Sequence, residues 1–285
     1  MAKANPKHPI FIGVDLGGTN VRAGLVQNGK IVSLKKRPIS SSAGQKIILE
    51  EIFETIEAVN QPNVSGIGIC TPSLVKDGIV YSVANIPSWR KVPLQKLLQQ
   101  RFNVPAFANN DAKCFALGEY HYGIGRGRQN LVGLIIGTGL GSGVIIDGKL
   151  YQGANGAAGE IGHAPYKGED YEHYCSGRFF KREFGLDAAE IQKRADEGDF
   201  KAAEMLAAFG DPFGDVIMAV LYAYDPEIIV LGGGVSMAFP YFEKPMREKL
   251  RAFKFQNALK RLKIVQTQKP HIAVLAAAAL CLDKQ

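Results

Sequence analysis

Cysteine is scarce and scattered. Four occur in 285 residues, Cys70, Cys114, Cys175 and Cys281, far apart and never as CxxC or CxC. The sequence therefore indicates neither a disulfide framework nor a local zinc clip, and the thiols read as reduced. Long apolar runs are missing too. The longest, Ile272 to Leu282, is shorter than the about 20 residues a membrane helix takes. The first nine residues hold two lysines and two prolines but no apolar segment of a signal peptide. Nor is there a Lys/Arg block interleaved with aromatics. The 34 basic residues behind the net charge of +7 are spread along the chain, which argues against a nucleic-acid surface and suits a small anionic substrate. The expectation is a soluble, cytoplasmic protein with neither a nucleic-acid nor a membrane partner.

What is present is glycine in two matching places. A composition of 46% hydrophobic residues over this length suffices for two domains. Phe11 to Asp15 reads as a buried strand ending at an acid, Leu16-Gly17-Gly18-Thr19-Asn20 as a turn, and Val21 to Val26 as a second strand. Adjacent glycines let the backbone amides of such a turn approach an anion closely. The plan recurs: Val132 to Ile136, then Gly137-Thr138-Gly139-Leu140-Gly141-Ser142-Gly143, then Val144 to Ile146. Asn28-Gly29-Lys30 and Asp147-Gly148-Lys149 close the two copies with hairpin turns. Two glycine hairpins in two halves suggest a nucleotide held between related domains. Two similar patterns fail on what they lack. Gly24-x4-Gly29-Lys30 and Gly143-x4-Gly148-Lys149 have Ile31 and Leu150 where a phosphate loop needs Ser or Thr, and Ser142 takes the third glycine position of GxGxxG.

Along the chain, Ile31–Leu34 reads as a third strand, Gln45–Asn60 as a helix stopped by Pro62, and Val64–Ile69 as a buried strand. Ile79–Tyr81 is a short strand before a loop, Ala84–Trp89. Leu94–Phe102 is a helix and Ala106–Ala108 a strand, followed by a helix over Ala112–Tyr120. The first half is thus an α/β layer. Gly123–Arg128 is a flexible basic boundary. Beyond the second hairpin come helices over Ser176–Tyr224, broken near Leu186 and at Pro212. A core strand at Pro226–Leu231 runs into Gly232-Gly233-Gly234, and a helix spans Tyr241–Phe253. Ile264-Val265 is a last strand before the alanine-rich helix from His271, which is expected to return to the first domain. The division expected is residues 1–122 plus 272–285 against 123–271.

Three further segments can carry chemistry. Asp111, after Asn109 and Asn110 at a strand end, can accept a proton from a substrate hydroxyl, although on position alone it reads as a helix cap. Gly159-Glu160-Ile161-Gly162-His163, with Glu172 and His173 behind it, can ligate a metal, hydrogen-bond a polyol or form a solvated loop. Gly232-Gly233-Gly234 allows close approach of a flat ligand or another backbone.

Together these segments resemble the ROK family of sugar kinases and repressors, over essentially the whole chain and in the family's order. Val14-Asp15-Leu16-Gly17-Gly18-Thr19-Asn20 resembles its first phosphate motif, and Ile136-Gly137-Thr138-Gly139-Leu140-Gly141 its second. Asn109-Asn110-Asp111-Ala112 is similar to its catalytic segment, Gly156 to His163 to its GExGH sugar motif, and Leu231 to Val235 to its adenosine motif. The resemblance implies an α/β, two-domain actin-like ATPase (ribonuclease H-like) fold with an interdomain cleft that closes around sugar and ATP. It implies Asp111 as general base on the 6-hydroxyl of a hexose, overriding the cap reading. It also implies Asn85, Asn110, Glu160, His163 and Glu172 on the ring hydroxyls. Asp15 would lie by a magnesium ion, through water. Gly17, Gly18, Thr19, Gly137, Thr138 and Gly139 would hold phosphates, and Gly232, Gly233 and Gly234 would lie by the adenosine.

Glucose is the sugar expected, with N-acetylglucosamine, N-acetylmannosamine, allose and fructose as alternatives, and the family resemblance implies a homodimer. The family's repressors carry a winged helix ahead of the first hairpin, where only nine or ten residues stand here. Two departures stand out. The family's CxCGxxGC zinc motif is absent between His163 and Glu172, so no zinc is expected, and Ser73 stands where the family usually has glycine beside the sugar.

Overall fold

The computed structural model describes residues 9–83 and 85–283. The first nine residues, read above for a signal peptide, fall almost wholly outside it, as does Ala84, the first residue of the expected loop. The elements run β1 (Ile10–Leu16), β2 (Asn20–Gln27), β3 (Lys30–Pro38), α1 (Gln45–Glu57), β4 (Val64–Thr71), β5 (Val75–Lys76), β6 (Ile79–Val83) and β7 (Ile86–Val92). Then come α2 (Leu94–Phe102), β8 (Ala106–Asn110), α3 (Asp111–Tyr122), β9 (Leu131–Ile136), β10 (Leu140–Ile146) and β11 (Lys149–Leu150). A hairpin of β12 (Pro165–Tyr166) and β13 (Glu169–Asp170) precedes α4 (Tyr171–Tyr174), α5 (Gly177–Phe184), α6 (Ala188–Asp196), α7 (Phe200–Ala208) and α8 (Gly210–Tyr224). The chain ends with β14 (Ile228–Gly232), α9 (Phe239–Lys249), α10 (Gln256–Arg261), β15 (Lys263–Gln266) and α11 (Ile272–Asp283).

These elements form two compact units. One comprises the chain to Arg126, Gln152–Ala157 and the chain from Lys269; the other comprises Gly127–Tyr151 and Ala158–Gln268. The first unit holds a sheet in the order β3-β2-β1-β4-β8, and the second holds one in the order β11-β10-β9-β14-β15. The plan is the same in both: an antiparallel hairpin and its edge strand, then two strands parallel to the hairpin's first. In each, the glycine turn is the bend of the hairpin. The strands that open them, β1 and β9, are almost wholly apolar because both faces are covered.

In the first unit, α1 buries Ile48, Leu49, Ile52, Phe53 and Ile56 on one stripe. The other face of the sheet receives α11, which is apolar all round and buried from Val274 to Cys281. It comes close enough to touch backbone. A side chain at Gly13 of β1 would run into the Val274 carbonyl, and one at Gly68 of β4 into the Ala277 carbonyl. On α3, a Cβ at Gly118 would lie 2.6 Å from that of Ala276. The second unit has a phenylalanine-rich core. Phe209 stacks on Phe180 and Phe213 at 5.2 and 5.4 Å and meets Phe242 edge-on at 5.1 Å. The stretch Phe200–Tyr224 is long and apolar enough to cross a membrane, but Leu206, Phe209, Phe213, Val216, Ile217 and Val220 are fully buried in this core.

Several elements differ from expectation. The loop expected through Trp89 is strand β7 from Ile86, paired with β6. Pro212 does not break a helix: it lies in the first turn of α8, where its missing N–H costs nothing. The break expected near Leu186 is there, at Gly185–Asp187, and the others fall at Glu197–Asp199, where Gly198 has φ +96°, and at Phe209. Helix α9 starts earlier and ends sooner than expected, and α10 is an additional short helix. Replacing Gly68 with alanine forces β4 and α11 apart, and the expected cost is about 1–3 kcal/mol. Urea unfolding checks this through a lower midpoint; an unchanged midpoint would contradict direct contact of α11 with β4.

Candidate active site

In the first unit the candidate residues gather at the C-terminal edge of the sheet. Asp15 of β1 and Asn109 of β8 both stand opposite Cys70 of β4, so Asp15 near the end of β1 and Asp111 just past the end of β8 belong to strands two positions apart, roughly 10 Å across the sheet. The Cys70 thiol registers them. Burial pushes it well up, Cys114 adds to this, and the charges of Asp15 and Asp111 raise it further. Gly17 N–H donates to the Asn20 carbonyl at 2.9 Å, closing the turn. The Asn85 side chain lies on this turn: a Cβ at Gly18 would collide with its amide. Thr19 is exposed at the turn, and its carbonyl takes the Ile39 N–H at 3.0 Å.

Asp111 is not the helix cap. Asn110 is extended, at φ −62° and ψ 144°, and its side chain accepts from the N–H groups of Ala112 and Lys113 at 3.0 and 3.2 Å. Asp111 is then the first helical residue, with Oδ1 2.8 Å from the Ala112 N–H. Asn110 also donates to the Ser73 carbonyl at 3.3 Å. The Ser73 hydroxyl is occupied locally, donating to the Leu74 carbonyl at 3.2 Å and accepting from Ser82 N–H at 3.4 Å. Buried Lys113 donates to the Gly156 carbonyl at 2.7 Å, tying α3 to the chain that leads toward Glu160.

In the second unit the glycines explain the segment around Glu160. Gly159, at φ +86°, and Gly162 press against the backbone of Ser142 and Leu140, where no side chain would fit, so Glu160 is held on β10. The Ser142 hydroxyl donates to the Gly159 carbonyl. His163 is exposed, with Nδ1 3.6 Å from Oδ2 of Asp170. Glu172 accepts from the Leu140 N–H at 3.0 Å and from Arg178 Nη1 at 3.0 Å, placing its carboxylate against the second glycine turn at Gly139. Gly137 N–H donates to the Gly139 carbonyl at 2.9 Å, and Gly137 O accepts from Gly177 N–H at 2.7 Å. Gly233, at φ +84°, packs on the Ile136 backbone just ahead of that turn, while the space over Gly137 and Gly234 is open. The second turn, with Thr138 in it, and the triple glycine are therefore one surface of this unit.

Two arginines escaped the sequence reading. Arg22, opposite Asp15 in the hairpin register, donates through Nε at 2.9 Å to Oδ2 of Asp15. Arg178, two residues beyond the Ser176 cap of α5, pairs with Glu172. The alternation of β1 and β2 could have revealed the first; nothing local reveals the second. Among the described residues no three His, Cys, Asp or Glu side chains converge as for a structural metal.

The sequence model of the ROK family matches residues 11–284. A glucokinase from Thermotoga maritima is 31% identical over 274 residues, which cover 84% of this chain and 86% of that one. An N-acetylgalactosamine kinase from a Shewanella species is 31% identical over 257 residues, covering 80% and 82%. The crystal structure of a ROK family glucokinase from Streptomyces griseus in complex with glucose and AMPPNP matches with a TM-score of 0.81 at 26% identity, covering 95% of this chain and 98% of that one. The cap assignment has its own check: Asn110→Ala loses about 1 kcal/mol of stability, and Asn110→Ser, which keeps a capping oxygen, recovers most of it in thermal unfolding.

Proposed function

The chain belongs to the ROK family and has the two-domain actin-like ATPase fold of its sugar kinases, and on that footing we propose that it is an ATP-dependent kinase acting on the 6-hydroxyl of a hexose, with glucose first. The observation that carries this reading is the repetition of one glycine-turn plan in two sheets of the same order, with Asp15 and Asp111 at one edge of the first. Phosphoryl transfer requires little covalent chemistry from a protein; it requires placement and stabilisation of charge. With the Gly17 and Gly137 N–H groups closing their turns, the backbone amides of Gly18, Thr19, Thr138 and Gly139 would supply the second without burying a cation. A solved relative that holds glucose and AMPPNP together supports the pairing of substrates.

In this reading Asp111 accepts the proton of the sugar hydroxyl as the hydroxyl oxygen bonds to the γ-phosphorus. The bond from that phosphorus to the bridging oxygen breaks, ADP leaves, and the proton passes from Asp111 to solvent. Asn85, Asn110, Glu160, His163 and Glu172 offer the mixed donors and acceptors that ring hydroxyls require. Gly232, Gly233 and Gly234 leave room for the adenosine. One carboxylate beside a phosphate turn fits magnesium, which binds through one or two carboxylates with phosphate oxygens and retained waters, so Asp15 would hold it. When bound, the ion would neutralise phosphate charge.

A second reading is an N-acetylhexosamine kinase, supported by the N-acetylgalactosamine kinase among the relatives. We propose in addition, on the family resemblance, that the protein is a cytoplasmic homodimer. ADP release with magnesium-ATP, measured against glucose, the N-acetylhexosamines, mannose, allose and fructose, decides between them by kcat/KM; ADP release with none of them counts against both. With the preferred sugar, Asp111→Asn is expected to lower kcat by roughly 10²–10⁴ while the sugar Kd moves far less. A variant with near-normal kcat removes Asp111 from the role of base.

A further inference from the structure

The piece of chain from Glu160 to Glu172 carries three of the residues assigned above to sugar, yet it has almost no core of its own. Between His163 and Glu172 it folds into the β12–β13 hairpin, with Pro165 opposite Asp170 and Tyr166 opposite Glu169. Lys167 and Gly168 make its bend, both at positive φ. A hairpin of two residues a side does not stand alone in water. It needs an anchor.

Tyr166 supplies one. Its ring stacks on Tyr171, with centroids 4.6 Å apart and planes 20° from parallel, and meets Tyr174 edge-on at 5.3 Å. Its hydroxyl donates to Oδ2 of Asp215 at 2.6 Å. Asp215 lies on α8, whose apolar face is in the core of the second unit, and is itself paired with Lys249 of α9 at 3.3 Å. Lys249 also meets Asp211 at 3.3 Å, so the acceptor is fixed by charges on two helices. Burial and then the Asp215 bond raise the phenol well above its usual range, so it remains a donor. Further contacts close the cluster: Tyr174 donates to the Lys167 carbonyl at 3.2 Å, and Arg182 donates to the His173 carbonyl at 2.7 Å while lying over the Tyr174 ring.

Both arms of the hairpin lead to site residues. His163 directly precedes the first arm and faces Asp170 of the second. Asp170 caps α4 by accepting the His173 N–H at 2.8 Å, and α4 carries Glu172 to the second glycine turn. We propose that Tyr166 is a positioning residue: its hydrogen bond to Asp215 fixes the hairpin and so sets His163 and Glu172 for the sugar, acting on sugar affinity and not on the phosphoryl-transfer step. This inference rests on the sugar-kinase reading above. Among the described residues no other hydrogen bond or ion pair joins the hairpin strands to α8, so the hydroxyl is the point at which the arrangement can be loosened without emptying the aromatic cluster.

The test is Tyr166→Phe, which keeps the stacked ring and removes only the hydroxyl. With magnesium-ATP and the best sugar of the panel, the sugar KM is expected to rise roughly three- to tenfold while ATP KM and kcat stay within about twofold. Asp215→Asn, which retains an acceptor oxygen, is expected to keep the sugar KM near that of the original protein. Amide hydrogen exchange over residues 163–172 is expected to accelerate in Tyr166→Phe and to stay unchanged in the rest of the second unit. An unchanged sugar KM in an otherwise active Tyr166→Phe overturns this inference alone, as does a fall in kcat with the sugar KM intact. An original protein that turns over no sugar overturns the kinase reading and takes the sugar part of this inference with it; unaltered exchange over 163–172 then disposes of the anchor as well.

Discussion

Everything at the candidate edge of the first unit, where Asp15 and Asp111 stand, depends on how near α11 comes to β1 and β4. Glycine at positions 13 and 68 removes the side chains that would hold the helix off, and the carbonyls of Val274 and Ala277 occupy the space. A helix seated on backbone has little freedom to slide, because its register is set by two gaps that only hydrogen fills. The same helix packs Ala276 on Gly118 of α3, so one element locates both the strand that presents Asp15 and the helix that begins at Asp111. The alanine-rich composition of α11 follows from this: small side chains let it meet a sheet on one side and a helix on the other.

The doubled hairpin was legible because it is written in local terms, as an apolar strand, a glycine turn, a second strand and a closing turn. So were α1, α2 and the core strands, whose apolar residues recur at the period of their structure. What escaped did so for identifiable reasons. In β7 the buried positions are Ile86, Trp89 and Val92, three apart, a spacing that belongs neither to a strand nor to a full helical stripe. Helix α10 buries none of its residues, so no apolar pattern marks it. Pro212 looked like a break because a sequence does not say that a helix starts two residues earlier. Asn110 and Asp111 are both good caps by composition, and only the extended backbone of Asn110 selects between them.

The long-range contacts of the site were hidden for a different reason. Glu172 reaches the Leu140 N–H across 32 positions, and the tyrosine cluster is held by Asp215 from 49 positions away. Neither has a local signature, since a carboxylate among charged and aromatic neighbours looks like any solvated turn. The glycines at 159 and 162 show the opposite case. Their spacing was visible, but its cause is the pressure of β10 on both sides of Glu160, which is a fact of packing.

The two glycine turns also share an electrostatic arrangement that bears on how a chain of net charge +7 handles anions. Beside the first turn Arg22 is held by Asp15, and beside the second Arg178 is held by Glu172. In each pair the carboxylate is the better covered partner, at 16% side-chain exposure, while the arginine is at 36% and 63%. An exposed ion pair of this kind adds little to stability. What it does is keep a guanidinium near each turn, held by a fixed carboxylate, so that in the proposed kinase the backbone amides and the nearest cation would be in place before a phosphate arrives. Charge stabilisation in phosphoryl transfer is effective to the extent that it needs no rearrangement at the moment of reaction. In the proposed kinase, preorganisation by backbone geometry and paired side chains would therefore account for phosphate binding without any concentrated basic segment in the sequence.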